Sequence, residues 1–495
     1  MCGTTSDAGK SWIVAGLCRL LARQGVAVAP FKAQNMSLNA AVTADHAEIG
    51  HAQWVQALAA GVAAEAAMNP VLLKPTGPST SQVVVMGRAV DVRSARDHHA
   101  RIDELRPVVA GALADLRSRF DVVICEGAGG AAEINLLDRD LSNLPLAAAA
   151  GLPAVVVGDI DRGGVFASLY GTVALLPDHL RGSVHGFIVN RLRGDPALLY
   201  DGCRQLHERS GVPTLGIVPM VAGIDIDAED SLALDTWGTA ASSTEQLDVA
   251  VVRFPRVSNF GDLDPLRLEP SVSVRWVRSA ATLGRPDLVV LPGSKATRDD
   301  LAWFRASGLA AAVRSSGAAV VAVCAGLQMV GHHIDDPGGI EGPPGSVDGL
   351  GWLDVTTSFE ADKVLDRPRG SVVAGPGQGA RVDGYRIHHG RVQGGGGAAP
   401  WMRADLGGIL GWHSGTVLGT TLHGLFENDH LRTEILRWAA AVAGTAAPAG
   451  SGVDFRQVRH QRLDRIADVL EAHLDMERLL AIIADPYHHK DPPTR

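Results

Sequence analysis

Two groups of residues, far apart in the chain, have the types and spacing that catalysis requires. The first is the loop at residues 3–11, which ends in Gly9, Lys10 and Ser11 and precedes a stretch with helical periodicity. In such a loop, backbone N–H groups bind phosphate oxygens, the lysine neutralises β- and γ-phosphate charge, and the next hydroxyl ligates Mg²⁺. The loop therefore predicts an ATP-type nucleotide site formed by Thr4, Thr5, Ser6, Asp7, Ala8, Gly9, Lys10 and Ser11.

Acidic and amide side chains that follow later strands are expected to complete this nucleotide site. Residues 121–125 form a buried-strand pattern that is followed by Glu126 and a glycine turn. Because ligands bind at the carboxyl ends of strands in open α/β sheets, we expect Glu126 to hold Mg²⁺ opposite Ser11. A purely structural acid at a strand end is the alternative. Residues 157–164 repeat this design and should line the same cleft, and Asn190, at the end of the next strand, should contact the adenine.

The loop departs from the standard phosphate-binding motif in its length. Five residues, not four, separate Gly3 from Gly9, and this longer loop resembles that of dethiobiotin synthetase-like enzymes that use ATP. A phosphate-binding loop normally follows a buried strand, and only Met1 and Cys2 precede Gly3. We therefore expect the natural chain to begin earlier, with a short apolar strand.

The second group is built around Cys324. An apolar strand at residues 318–323 leads into Cys324, Ala325 and Gly326 and then into a helical stretch. A strand–nucleophile–helix turn exposes its central side chain above the sheet, and the helix N-terminus favours a thiolate there. A lone cysteine is more often a small buried apolar residue, but the turn favours a nucleophile. The backbone N–H groups of Ala325 and of Gly293 or Ser294 are expected to form an oxyanion hole.

A thiol nucleophile needs a base, and His423 is the histidine best placed to supply one. It ends the strand-like run at residues 416–422 and is followed by Gly424, so it is predicted to lie at a strand terminus. His423 is therefore the candidate base, and the sequence alone leaves open whether it meets Cys324 in space.

Both groups need strands that end at one edge of a sheet, and the chain provides two series of them. Short β-branched runs alternate with helical stretches, which is typical of a parallel α/β sheet covered on both faces. We predict an α/β phosphate-loop domain at residues 1–220, a polar linker at 221–246, a second α/β domain at 247–443 and a helical tail at 444–495 packed on the body. The predicted strands are 26–29, 121–125, 154–157, 186–190, 214–218, 247–253, 272–277, 287–291, 318–323 and 417–422.

Composition excludes several classes of protein. The 45 basic and 54 acidic residues give a net charge of −9, which disfavours a protein that holds nucleic acid through phosphate contacts. No apolar run approaches the ~20 residues that span a bilayer. The five cysteines are scattered and contain no C-x-x-C pair, so reduced thiols in a cytoplasm are expected rather than disulfides or a zinc site.

Together with further motifs, the two groups resemble the glutamine-hydrolysing cobyric acid synthase family of cobalamin biosynthesis. The resemblance extends over nearly the whole chain. The motifs that carry it are residues 4–11, 30–36, 48–50, 69–75, 158–164, 258–260, 264–265, 291–295, 339–342, 384–385 and 423–428.

The resemblance implies an activity and a set of roles. The activity is successive ATP-dependent amidation of the b, d, e and g carboxylates of adenosylcobyrinic acid a,c-diamide, a corrinoid, with glutamine as nitrogen donor. A class I glutamine amidotransferase-like domain would use Cys324 as nucleophile and His423 as base. Such domains usually carry Glu where this chain has Leu425, so the third triad member is expected to be absent or replaced, for example by Glu427. Arg386 also stands where an acid is expected.

Two alternatives remain at this stage. One is a related amidotransferase acting on another acid, such as the a and c carboxylates of the corrinoid or a cell-wall precursor. The other is a partition- or scaffold-type ATPase switched by nucleotide. Such ATPases typically carry an extra lysine early in the loop, and none stands between Gly3 and Lys10.

Overall fold

The computed structural model describes residues 1–77, 79–224, 247–448 and 450–484, and within them two α/β halves and a helical tail. The strands of the N-terminal half are β1 (Cys2–Gly3), β2 (Val28–Phe31), β3 (Gln34–Met36), β4 (Ala40–Val42), β5 (Glu48–Gly50), β6 (Val71–Pro75), β7 (Thr80–Val85), β8 (Arg88–Ser94), β9 (Val122–Cys125), β10 (Ala154–Asp159), β11 (Val184–Leu192) and β12 (Thr214–Pro219). Its helices are α1 (Lys10–Arg23), α2 (His51–Ala60), α3 (Ala95–Ala100), α4 (Ile102–Arg119), α5 (Leu144–Ala150), α6 (Val165–Leu175), α7 (Asp178–Arg181) and α8 (Tyr200–Ser210).

Parallel strands form the centre of the N-terminal half. One sheet has the order β1-β10-β11-β12, and a second parallel pair, β2-β9, joins it through Met1, whose amino group donates to the Cys125 carbonyl at 2.6 Å. Alternate residues of β10 enter different cores: Val155 packs with α1, and Val156 packs with α6. Both faces of the sheet are therefore covered, as the apolar strand patterns predict.

The C-terminal half contains a larger mixed sheet. The strands of this half are β13 (Leu247–Val252), β14 (Val257–Ser258), β15 (Val272–Val277), β16 (Leu288–Leu291), β17 (Gly293–Ser294), β18 (Ala319–Val323), β19 (His333–Asp336), β20 (Gly345–Asp348), β21 (Val355–Asp366), β22 (Arg369–Val372), β23 (Arg381–Asp383), β24 (Arg386–Gly394), β25 (Ala399–Ala404), β26 (Ile409–Ser414) and β27 (Val417–Thr420). The nine-stranded sheet has the order β15-β13-β16-β18-β27-β26-β25-β22-β23, parallel up to β27 and antiparallel beyond it.

The remaining helices cover this sheet and return to the N-terminal half. They are α9 (Asp264–Arg267), α10 (Thr297–Ala306), α11 (Leu309–Ser316), α12 (Ala325–Val330), α13 (Asp429–Ala443), α14 (Phe455–His473) and α15 (Met476–Ala484). In the tail, Ile466 and Leu470 of α14 are buried against α1, next to Gly16. The tail thus packs its apolar stripe on the body, as expected. Most of the predicted linker, residues 225–246, lies outside the described residues.

A small mixed sheet connects the two halves. It has the order β3-β6-β7-β8, and together with the β4-β5 hairpin it faces strand β24 of the C-terminal half. Val42 and Leu72 pack against Ile387 across this boundary. Two backbone N–H groups add polar contacts, because Ala40 donates to the Asn259 side chain and Phe260 donates to the Asn39 side chain, both at 3.2 Å.

Among the helices of the described residues, none is both long and apolar enough to span a bilayer.

Candidate active sites

The phosphate-binding loop lies between β1 and the first turn of α1. Gly9 has φ +92°, a left-handed conformation that favours glycine, and α1 begins at Lys10. The Lys10 ammonium is buried and donates to the carbonyls of Thr5 and Gly129, both at 2.9 Å. Lys10 is therefore held between the loop and the glycine turn after β9, where the sequence predicts the phosphates to bind.

Glu126 is brought to the same place from the end of β9. Its Oε1 accepts a hydrogen bond from the Ser11 hydroxyl at 2.8 Å and forms an ion pair with the Lys32 ammonium at 2.8 Å. Its Oε2 accepts a hydrogen bond from the Gln56 amide at 2.6 Å. Ser11 and Glu126 thus converge as predicted, whereas Lys32 and Gln56 are site residues that the sequence analysis did not identify.

The donor set at this point fits a magnesium ion bound together with a nucleotide. Hydroxyl and carboxylate oxygens are the ligands that Mg²⁺ prefers, and it commonly takes few protein ligands when phosphates supply the others. In the part of the chain that the structure describes, no group of three or more His, Cys, Asp or Glu side chains is arranged to hold a metal on its own. Ser11 and Glu126 are the residues that would hold it.

Residues at the ends of β10 and β11 brace the loop. The Asn190 amide donates to the Ala8 carbonyl at 3.0 Å and lies directly against Gly9, where an added Cβ would come within 2.1 Å of it. Arg191, in a left-handed conformation, connects Asp7 at 3.1 Å with Asp159 at 2.9 Å. The end of β10 therefore reaches the loop, as expected for residues 157–164. Contact between Asn190 and the adenine stays a prediction.

Cys324 occupies a strained turn between β18 and α12. Its backbone has φ 53° and ψ −107°, which is rare for a residue with a Cβ, and strain of this kind is common at catalytic nucleophiles. The turn needs small neighbours: a Cβ on Gly326 would lie 2.2 Å from the Leu291 carbonyl oxygen. The predicted strand–turn–helix arrangement around Cys324 is therefore observed, and the role of Cys324 as nucleophile stays a prediction.

His423 lies beside Cys324 and is oriented by Asp262. The imidazole forms a side-chain hydrogen bond with Cys324 on one side, and its Nδ1 lies 2.7 Å from Asp262 Oδ2 on the other. Burial lowers the pKa of His423, but the charges of Asp262 and Cys324 outweigh burial and raise it to about 10. Tyr385 stacks on the imidazole ring with the ring centroids 5.2 Å apart.

The suggestion that Glu427 replaces the third triad member is wrong. Its carboxylate pairs instead with Arg459 of α14 at 2.7 Å. Asp262 takes the place, and its second oxygen accepts the Gly424 N–H at 2.8 Å. Asp262 lies in a short 3₁₀ turn, Phe260–Leu263, between the motifs at residues 258–260 and 264–265. Arg386, where an acid was expected, pairs with Asp366.

The predicted oxyanion-hole residues lie around Cys324. A Cβ on Gly293 would come 3.1 Å from His423 Cε1, so this strand end directly faces the imidazole. Ala325 is the first residue of α12, immediately after Cys324. Their backbone N–H groups remain predicted donors for the oxyanion.

The pocket above Cys324 is lined by both halves of the chain. Cys324, His423 and Lys363 come from the C-terminal half, and Lys74 comes from strand β6 of the N-terminal half. Glu48, also from the N-terminal half, is fully buried and pairs with both lysines. The thiol site therefore opens toward the half that carries the phosphate-binding loop.

Comparison with known proteins agrees with this two-site arrangement. The CobQ/CobB/MinD/ParA nucleotide binding domain matches residues 1–233, and the CobB/CobQ-like glutamine amidotransferase domain matches residues 248–431. The chain is 49% identical to the cobyric acid synthase of Nocardia farcinica, over 98% of this chain and 96% of that protein. It is 48% identical to that of Mycolicibacterium smegmatis, over 99% of this chain and 96% of that protein. The chain therefore belongs to the cobyric acid synthase family, whose members are glutamine-dependent amidating ligases of cobalamin biosynthesis.

Proposed function

We propose that this protein amidates the b, d, e and g carboxylates of adenosylcobyrinic acid a,c-diamide, using ATP and glutamine, in the cytoplasm. The observation that carries the proposal is the Cys324–His423–Asp262 arrangement, in a pocket that is completed by Lys74 from the ATP-binding half. Family membership supports the corrinoid, ATP and glutamine as substrates. The five free cysteines support a reducing compartment.

Nitrogen release would begin at Cys324. The thiolate attacks the side-chain amide of glutamine, and a thioester forms as the C–N bond breaks. His423 donates the proton that lets the nitrogen leave as ammonia, and then accepts a proton from the water that hydrolyses the thioester to glutamate. Asp262 keeps the imidazole in the orientation and charge state that these steps need. The N–H groups of Gly293 and Ala325 would stabilise the oxyanion.

Carboxylate activation would take place at the phosphate-binding loop. A carboxylate oxygen is a poor leaving group, so its attack on the γ-phosphate of ATP to give an acyl phosphate and ADP makes it displaceable by ammonia. Lys10 and the loop N–H groups orient the phosphates and stabilise the transferred charge. Mg²⁺, held by Ser11 and Glu126 with the phosphates, would neutralise part of that charge.

The test separates the two nitrogen sources. With cobyrinic acid a,c-diamide, ATP and Mg²⁺, Cys324→Ala should lose glutamine-dependent amidation and keep amidation from added ammonium. Cys203→Ala, a half-buried thiol of α8, is the matched control and should retain both activities. Loss of both activities in a folded Cys324→Ala protein would contradict the division of labour between the two halves.

A further inference from the structure

Two sequence motifs meet at the pocket of Cys324, and the proposed function assigns no role to the charged side chain that each of them carries. They are residues 291–295, which end in Lys295, and residues 339–342, which contain Glu341. Both charged side chains line the pocket together with Cys324. The two motifs are distant in sequence, so their meeting beside the nucleophile requires an explanation.

Most other charges in this pocket already have partners. The fully buried Glu48 pairs with Lys74 and Lys363, and Asp262 pairs with His423. Burial lowers the pKa of His388 to about 3 and of His389 to about 4, so both rings are uncharged near neutral pH. The remaining charged side chains are Lys295 and Glu341.

Lys295 and Glu341 attract each other but do not form an ion pair. Within the described ranges, the Lys295 ammonium makes no hydrogen bond or salt bridge, and Glu341 pairs with no cation. Burial lowers the pKa of Lys295 and raises the pKa of Glu341, the directions expected of charged groups with no close counter-ion. Holding opposite charges apart in a partly buried pocket costs free energy, unless a ligand supplies a counter-charge to each of them.

The fold fixes the backbone segments that carry both groups. The fully buried carboxylate of Asp336 accepts the backbone N–H groups of Ile340 at 2.7 Å and Glu341 at 2.9 Å, which holds the turn that carries Glu341. The backbone of Lys295 is held by a hydrogen bond to the Arg256 carbonyl at 3.0 Å. The buried aspartate therefore fixes the turn from which the Glu341 side chain extends.

Glu341 is also connected to the helix that follows the nucleophile. Its Oε2 accepts the Thr297 N–H at 2.8 Å, and the Thr297 hydroxyl donates to Gln328 of α12 at 3.2 Å. Gln328 is buried and lines the same pocket. The charged pair and the catalytic thiol therefore belong to one connected structure.

We propose that Lys295 binds the α-carboxylate and Glu341 binds the α-ammonium group of the glutamine whose side-chain amide is attacked by Cys324. A free amino acid carries one negative and one positive group on the same carbon, and two methylene groups separate that carbon from the amide. Lys295 and Glu341 supply the complementary charges on the wall of the nucleophile's pocket. They select free glutamine over amides that lack either charge. This inference rests on the assignment of Cys324 as nucleophile.

The experiment compares three amides as ammonia donors to the full-length protein. L-Glutamine carries both charges, glutaramate lacks the ammonium group, and 4-aminobutanamide lacks the carboxylate. Glu341→Gln should lower kcat/KM for glutamine about 10–100-fold, and should lower the glutamine-to-glutaramate ratio by a similar factor. Lys295→Met should lower the glutamine-to-4-aminobutanamide ratio by a similar factor, and Lys295→Arg should restore part of it.

Glu360→Gln, an exposed residue paired with Arg391, should leave all three kcat/KM values unchanged. If Glu341→Gln lowered kcat/KM for glutamine and glutaramate equally, Glu341 would not bind the ammonium group and the inference would be overturned. If Lys295→Met and Lys295→Arg behaved alike on all three amides, the carboxylate assignment would fail. Glutamine turnover by Cys324→Ala would instead overturn the nucleophile assignment, a separate result.

Discussion

Glu48 of the N-terminal half forms a buried ion pair with Lys363 of the C-terminal half, with 2.5 Å between Oε2 and Nζ. Its other oxygen accepts a hydrogen bond from Lys74 Nζ at 2.7 Å. Burial alone would raise the pKa of Glu48, but the two lysines lower it below its ordinary value. Both lysines line the pocket of Cys324. The carboxylate therefore joins the two halves at the site that would release nitrogen.

Replacing Glu48 should separate nitrogen release from nitrogen use. Glu48→Gln leaves two lysines buried without their carboxylate, which we expect to cost about 3–5 kcal/mol in the free energy of unfolding. Because the contact between the halves weakens, less of the released ammonia should reach the activated carboxylate. The ratio of amide formed to glutamate released should fall, as measured by quantifying both products in the same reaction.

Asp405→Asn is the control for this change, since it breaks an exposed ion pair with Arg381 in the C-terminal half. We expect it to change the free energy of unfolding little, because solvent screens the exposed pair, and to leave the product ratio unaltered. A destabilised Glu48→Gln protein with an unaltered ratio would mean that the pair holds the fold together without guiding ammonia.

The triad assignment predicts a contrast between two acidic residues. Asp262→Asn removes the charge that raises the pKa of His423, so the alkaline limit of glutamine hydrolysis should move to lower pH and kcat should fall about 10²–10⁴-fold. Glu427→Gln, which breaks only the pair with Arg459, should change kcat less than threefold or so. The pH profiles of kcat measure both. Equal losses in the two variants would contradict Asp262 as the acid that orients His423.

The raised pKa of His423 also sets a pH dependence of stability. A histidine with a folded-state pKa of about 10 and an unfolded value of about 6.5 stabilises the protein fully below pH 6.5 or so, and this contribution is lost as the pH rises through 10. The free energy of unfolding should therefore fall between pH 7 and 10, roughly, more steeply in the wild type than in Asp262→Asn. Parallel curves from denaturant titrations would show that Asp262 does not set the protonation of His423.

The sequence predicted ten of the parallel strands, and it placed Cys324 and His423 at the ends of two of them, because these features depend on local patterns. It did not predict strands β3–β8 or β22–β26. Continuous apolar runs identify buried parallel strands, and all ten predicted runs overlap observed ones, with ends that differ by a few residues. The strained turn at Cys324 follows from a strand, small neighbours and a helix, which are adjacent in sequence. The strand ends then place His423 beside the thiol.

Asp262 and the interdomain contacts depend instead on tertiary structure. The turn that carries Asp262 is held by Asn39 of the other half, through the Phe260 N–H. No local pattern distinguishes Asp262 from neighbouring acids such as Asp264. Similarly, Glu48 and Lys363 become partners only because the β4-β5 hairpin packs against strand β24. One sequence, without the fold, could not reveal these pairs.

A substitution in the phosphate-binding loop should affect a different activity from a substitution at the thiol site. Lys10→Ala removes the ammonium held between the loop and the turn after β9, so amidation should fall at least about 10²-fold with glutamine or with ammonium. Basal release of glutamate should continue, because Cys324 and His423 are untouched. Unchanged amidation with either nitrogen source would remove Lys10 from the phosphoryl-transfer step.

The close approach of Gly326 to Leu291 predicts that a larger side chain at position 326 disturbs the turn at Cys324. A methyl group at position 326 would lie 2.2 Å from the Leu291 carbonyl oxygen, so the backbone at the start of α12 must shift. The N–H of Ala325 shifts with it, which weakens the predicted oxyanion hole. Gly326→Ala should therefore lose about 1–3 kcal/mol of stability and more than about 10-fold in glutamine hydrolysis.

Gly396→Ala, where an added methyl group meets open space, should cost little in either measurement. Ammonium-dependent amidation should persist in Gly326→Ala, because the damage is confined to the thiol site; if that activity disappeared from the folded variant, the two sites would not be separable in the way the structure indicates.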